Sequence, residues 1–192
     1  VVSHHTNDNS KEKESYMTDH AKNHTETTIG LFGTCDNVPW RLPFIEKYDK
    51  LGIKYFNPDA GDNWHPGLIE EENYYLNNAE IILFPILKES LGSGSMGEVG
   101  FSVQNVLRNI QNGRQQFLIA LIDNDCTDAR KSDEERKRSV KDRALVKSKL
   151  KQNVSCPVIT LVETLDDLLV MSLELHEFLA KGCPVQETGK SA

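Results

Sequence analysis

The chain has little that would seat it in a membrane, cross-link it or draw it to a polyanion. Its longest apolar run, "IILFPIL" at residues 81–87, is far short of the roughly 20 residues that span a bilayer. No apolar signal-peptide core stands at the N-terminus. These absences lead to the expectation of a soluble, cytoplasmic protein with no membrane partner. The four cysteines, Cys35, Cys126, Cys156 and Cys183, are scattered without a C-x-x-C pair, which argues against a zinc site or a disulfide framework and fits reduced thiols. A positive balance is also missing. The 22 Lys+Arg stand against 29 Asp+Glu, a formal charge of −7, whereas a general nucleic-acid binder needs a positive surface. A small-molecule ligand fits this charge better than a nucleic acid polymer.

The 192 residues suffice for one domain with a full core and are too few for two sizeable ones. Residues 1–27 hold almost nothing that could be buried and are rich in Asn, His, Thr, Lys and Glu, the composition of a disordered polar tail. Four of the six histidines lie there without partners at ligand spacing, so no metal site is expected. Residues 28–184 form the expected domain, and 185–192 a flexible C-terminal tail.

From Thr28 onward, short apolar runs alternate with amphipathic stretches, and Gly, Pro, Asn or Asp bound each run. That is the punctuation of βα units. Strands are expected over 28–34, 52–58, 80–87, 116–123 and 157–163. Helices are expected over 39–51, 68–78, from the glycine stretch to 112, and over 164–182, the last with Thr164 as N-cap and acids in its first turn. The third strand is apolar on both faces, as a central parallel strand is. Right-handed crossovers then predict a five-stranded parallel sheet with helices on both faces, a flavodoxin/Rossmann-like three-layer sandwich. Its ligand is expected beyond the carboxyl ends of the strands. Residues 129–151 carry ten Lys/Arg against four acids. Without interleaved aromatics this segment reads as a solvated helix or a subunit contact.

After the third strand stands "SLGSGSMGEVGFS" (90–102), containing a literal G-x-G-x-x-G at 92–97 followed by Glu98. One reading is a dinucleotide-phosphate turn, with Asp123 at the end of the next strand as the ribose-binding acid. The motif follows the third strand rather than the first, however, and a glutamate beside a pyrophosphate repels it. The other reading makes Glu98 the point of the stretch, with the glycines clearing space for a ligand. A helix bearing Glu70, Glu71 and Glu72 runs directly into the same strand. Two carboxylates at one cleft suit glycosyl chemistry, one meeting the oxocarbenium-like carbon and the other handling a proton.

Four pieces in this order, "IGLFGTCDN", "KYFNPDAGDNW", "EEENYYLNNAEIILFPI" and "SGSMGEVGFS", resemble the nucleoside 2-deoxyribosyltransferase family and its N-glycoside hydrolase relatives. The likeness covers roughly residues 28–123. It implies that Glu98 is the nucleophile and that Glu72, eight residues before Glu80, takes the proton-handling role. Asp is usual in the family at both the Glu72 and the Glu80 positions. Gly33 and Thr34 match the turn lining the sugar site, while Asn57 and Trp64 match a loop bordering the substrate. A tyrosine that steadies the nucleophile in some relatives is replaced here by the Leu31-Phe32 stretch, and Tyr74 or Tyr75 is the candidate substitute.

The resulting expectation is an enzyme that cleaves or transfers the N-glycosidic bond of a nucleoside, deoxynucleoside or 5′-monophosphate. It would need no cofactor or metal and would work as a homodimer or larger homo-oligomer, as relatives do. Ser93, Ser95 and Gly97 are expected around the substrate, the serines and the helix's first N–H groups at a 5′-phosphate. Arg41 and His65 are further candidates, for phosphate and base respectively. The alternatives are a non-catalytic nucleotide-binding or sensing domain of the same fold and a dinucleotide-dependent oxidoreductase.

Overall fold

The computed structural model describes residues 27–35, 38–61, 65–153 and 156–181. The expectations for both tails, for Trp64 and for position 182 at the end of the last helix lie outside these residues.

Each apolar run becomes a strand and each amphipathic stretch a helix, in strict alternation. The strands are β1 (Thr28–Leu31), β2 (Lys54–Phe56), β3 (Ile81–Ile86), β4 (Phe117–Ile122) and β5 (Ile159–Val162). Between and after them run α1 (Arg41–Leu51), α2 (Gly67–Asn78), α3 (Ser93–Gln111), α4 (Asp133–Asn153) and α5 (Leu165–Ala180). All strands pair in parallel in the order β2-β1-β3-β4-β5. This is the expected three-layer α/β sandwich of the flavodoxin/Rossmann-like kind. β3 sits in the middle with all six residues buried, which explains its lack of polar alternation.

Alternate residues along the central strands divide the core in two. Ile29, Leu31, Ile81, Leu83, Ile119 and Leu121 pack under α1 and α5 with Trp40, Phe44, Tyr48 and Leu168. On the other face Ile82, Phe84, Ile86, Leu118, Ala120 and Ile122 meet Val99 and Val106 of α3 and Leu150 of α4, with Tyr75 of α2 at the margin. The i, i+4 spacing of Trp40, Phe44 and Tyr48 builds an edge-to-face ladder with centroids 5.3 and 6.2 Å apart. Its last member is hydrogen-bonded, Tyr48 hydroxyl to Ser172 Oγ at 2.6 Å, which joins α1 to α5. Thr164 caps α5 as expected, its hydroxyl accepting from the Asp167 N–H at 3.0 Å.

Strands are shorter than their apolar runs because the chain leaves the sheet at turns that still carry apolar residues. After β1 the Phe32 N–H bonds Leu83 O and the Thr34 N–H bonds Pro85 O, at 3.0 and 2.8 Å, with Gly33 between them at φ +91°. A Cβ at Gly33 would stand 2.3 Å from the Pro85 carbonyl oxygen. Gly33→Ala therefore meets both a disfavoured backbone conformation and an immovable neighbour. Its expected cost is about 3 kcal/mol or more, read as a lowered urea midpoint at unchanged m-value.

The chain moves outward from β1 to β2, then returns past β1 to β3. The carboxyl ends of β1 and β3 consequently flank the reversal of strand order, where such sheets open a crevice for ligands.

Candidate functional site

The crevice is framed by loops that buried cations hold in place. On the β1 side Arg41, at the start of α1, is 4 % exposed. Its Nε donates to Leu31 O at 2.9 Å and its Nη1 to Thr34 O at 2.8 Å, while the guanidinium lies 4.6 Å from the Trp40 ring centroid. Trp40 Nε1 donates to the same Thr34 carbonyl at 2.7 Å. Thr34 itself is buried, and its hydroxyl accepts from the Leu87 N–H at 2.9 Å. Thr34 is thus a strut between the β1 and β3 ends. Arg41, a phosphate candidate in the sequence, is buried, and these backbone bonds occupy it as a clamp on the turn.

On the β3 side the link Leu87–Gly92 leads into α3, whose N-cap is Gly92 at φ +65° with no capping side chain. Helix geometry leaves the first N–H groups of α3 without intrahelical partners, and no acid occupies its first turn. Ser93 is exposed and Ser95 half-buried there. Gly94 lies one turn before Glu98 on the same side of the helix, and Cβ atoms at Gly94, Gly97 or Gly100 would meet nothing within 4 Å. Around Glu98 the glycines leave open space.

Glu98 is exposed on one side, yet enough protein surrounds it for desolvation to raise its carboxyl pKa. Glu72 projects from α2. Of the three consecutive glutamates it alone is half-buried, Glu70 and Glu71 being exposed. Burial raises the Glu72 pKa, the charge of Glu98 raises it further, and Arg41 offsets part of the rise. Glu72 therefore lies within electrostatic reach of Glu98. The Cys35 thiol, just past the β1 turn, ties the remaining groups to the same place. Burial raises its pKa, Arg41 lowers it from a contact of 3.6 Å, and Asp59 and Glu72 raise it.

Asn57 and Asp59 shape the turn after β2. Asn57 Oδ1 accepts from the Asp59 N–H at 3.1 Å, and Asp59 Oδ1 from the Gly61 N–H at 3.3 Å, with Asp59 Oδ2 3.8 Å from Arg41 Nη1. His65 is exposed. The structure thus gathers Gly33, Thr34, Arg41, Asn57, Glu72, Glu98, Ser93, Ser95 and Gly97 at the carboxyl ends of the strands. Of the two candidate tyrosines, Tyr75 stacks at 4.2 Å on Phe56, the last residue of β2, whereas Tyr74 senses Arg114 and Glu80, which precede β4 and β3 at the amino ends. Glu80 accepts from the Thr28 N–H at 2.8 Å at that same end.

Two observations weigh against the dinucleotide reading of the glycine stretch. The third glycine of that fingerprint lets helix and strand pack closely, yet space is open at Gly97. Asp123, the proposed ribose acid, accepts from the Lys88 N–H at 2.8 Å and so ties the β3 and β4 loops together.

The residues sequence reasoning missed lie on α4, whose basic character is not all solvated. Arg143 is fully buried and Lys147 nearly so. Arg143 Nη1 donates to Ile86 O and Nη2 to Leu87 O, each at 2.9 Å, with a further bond from Nη2 to Ser90 O. Lys147 Nζ donates to Ile122 O at 3.1 Å and to Glu163 Oε2 at 2.9 Å. The available signal is the spacing of Ser139, Arg143, Lys147 and Leu150, which share one helical face.

A groove of about 280 Å³ opens elsewhere, at the amino ends of β4 and β5 against α5, lined by Phe117, Pro157, Val158, Met171, Leu175 and Phe178 among others. Glu174 is its sole carboxylate, so it lacks the paired acids of the crevice. Among the described residues no group of three or more His, Cys, Asp or Glu is placed to hold a metal ion, and no helix is long and apolar enough to cross a membrane. No protein-family model and no curated protein matches the chain.

Proposed function

We propose that the protein breaks the N-glycosidic bond of a nucleoside, deoxynucleoside or nucleoside 5′-monophosphate, with Glu98 as nucleophile and Glu72 as proton donor. The observation that carries this reading is the placement of two carboxylates, Glu72 within electrostatic reach of Glu98, at the β1/β3 reversal, where burial disfavours the charge of each. Such a pair divides its labour: the group with the larger penalty on its charge keeps the proton and the other keeps the charge. In this reading Glu98, on the glycine-cleared stretch of α3, keeps the charge, and the half-buried Glu72 keeps the proton.

In the first step a Glu98 oxygen bonds to C1′ while the C1′–N bond breaks, its electron pair passing to the base nitrogen. The Glu72 proton goes to the departing base. In the second step water attacks C1′ and gives its proton to the Glu72 carboxylate, releasing the sugar and freeing Glu98. A second base in place of water yields transfer. The first turn of α3, with its N–H groups and Ser93 and Ser95, is the part suited to a 5′-phosphate.

The test is incubation with a panel of nucleosides, deoxynucleosides and 5′-monophosphates, followed by chromatography for free base and, with a second base added, for exchange. Base release from at least one class is expected. Tight nucleotide binding without release from any of them would instead favour a sensing domain.

A further inference from the structure

We propose that Arg143 is the positioning residue for Glu98, acting through the link between β3 and α3; its effect on turnover rests on the function proposed above, its effect on the link does not. The link, Leu87–Gly92, turns the chain from the central strand into α3. Arg143 holds the carbonyls of Ile86, Leu87 and Ser90 at once. Its Nε donates to Ser139 Oγ at 3.1 Å, and that hydroxyl donates to Leu91 O at 2.9 Å. Four carbonyls thereby accept from one face of α4, those of Ile86, Leu87 and Ser90 in addition to accepting from the Asp123 N–H, the Ser90 N–H and the Cys126 thiol respectively.

The contact reaches the base of α3 directly. A Cβ at Gly92 would stand 2.6 Å from Ile86 Cγ2 and 3.4 Å from Arg143 Nη2, so the N-cap residue is seated against the guanidinium. Its own N–H is held by Ser90 Oγ at 3.0 Å. From Gly92 a continuous helix carries Glu98 into its second turn, and a shift at the cap moves Glu98 with it.

The partners of Arg143 also argue for geometry over net attraction. Among the described residues its hydrogen-bond acceptors are backbone carbonyls and a hydroxyl rather than a carboxylate, and burial lowers its pKa more than Cys126, Asp123, Glu89 and Asp125 raise it. An apolar side chain would fill the space without that desolvation cost. What it could not do is hold three carbonyls in one plane, as a guanidinium fork does.

The test uses the full chain with Arg143→Met, Arg143→Lys and Ser139→Ala, measuring kcat and KM for base release per folded molecule and amide hydrogen exchange by segment. Arg143→Met is expected to lower kcat by about 100-fold, the scale for misplacing a catalytic group by an ångström, with KM little changed and exchange accelerated over residues 87–97 relative to β1 and β4. Arg143→Lys should not restore kcat, since an ammonium cannot span the three carbonyls. Ser139→Ala, which keeps the guanidinium, should move both readouts the same way by less, and it decides the matter if neither Arg143 variant folds. Unchanged kcat per folded molecule in a variant with normal exchange, or acceleration spread evenly over the sheet, overturns the proposal. If the wild-type protein releases no base at all, the assigned chemistry fails, while the exchange pattern still decides whether Arg143 holds the link.

Discussion

Glu98→Gln is expected to lower base release by about 10³-fold or more, the scale on which losing a covalent nucleophile acts, while leaving nucleoside binding and folding intact. The amide matches the carboxylate in shape, so the glycine-cleared space beside it is unchanged. It removes the negative charge that, in the proposed mechanism, meets C1′. Desolvation raises the Glu98 pKa, which means the folded protein carries that charge at a cost. The variant should accordingly unfold at a slightly higher temperature than wild type near neutral pH. Loss of turnover with retained binding by calorimetry and no loss of melting temperature separates a chemical role from a structural one. A slow substrate adds an independent check: the glycosyl adduct should appear by mass on the peptide containing Glu98 in wild type and be absent from the variant. Turnover that survives the substitution would falsify the assignment.

The fold was legible because the physical signals that set it are local. Gly, Pro and Asn break the chain where strands and helices end, and the uninterrupted apolar run 81–86 can satisfy a strand only at the centre of a sheet. Boundaries were less legible. Phe32, before Gly33, has left the strand while its N–H still bonds Leu83 O, and only three-dimensional pairing distinguishes it from a strand residue. Within the site, Glu98 stood out because glycines surround it. Glu72 could not be told from Glu70 and Glu71 by composition, since which of three adjacent helical acids turns inward depends on where α2 sits. Arg41, Arg143 and Lys147 were the least legible. A cation in sequence reads as solvated, and what buries these three is the set of loop carbonyls beneath them, whose direction follows from the sheet's carboxyl ends. The buried face of α4 is accordingly polar in part, Ser139, Arg143 and Lys147 lying there with Leu150.

The proton on Glu72 supplies the second large effect. Burial raises its pKa first, the Glu98 charge raises it further, and Arg41 compensates in part. The proposed mechanism needs Glu98 ionised and Glu72 protonated. With both values raised, kcat/KM should climb as Glu98 loses its proton and decline as Glu72 loses its own, both limbs lying above the ordinary carboxylate range. Glu72→Gln should erase the declining limb and reduce kcat/KM by about 10²–10⁴-fold, the usual contribution of general acid catalysis. The loss should be much smaller for a nucleoside whose base departs without a proton, such as an N7-methylated purine nucleoside, and no such relief should follow Glu98→Gln. Stability carries the same sign. A carboxyl whose folded pKa is raised holds its proton longer in the native state, so the native state loses stability as pH rises through that interval. Glu72→Gln should therefore melt above wild type near neutral pH, with the difference closing below the unfolded carboxylate pKa. Glu98→Gln should bring the Glu72 titration down without returning it to the ordinary value, because desolvation, the larger cause, remains. A declining limb that persists in Glu72→Gln would assign the proton to another group at the crevice, of which Asp59 and Cys35 are the neighbours in electrostatic reach.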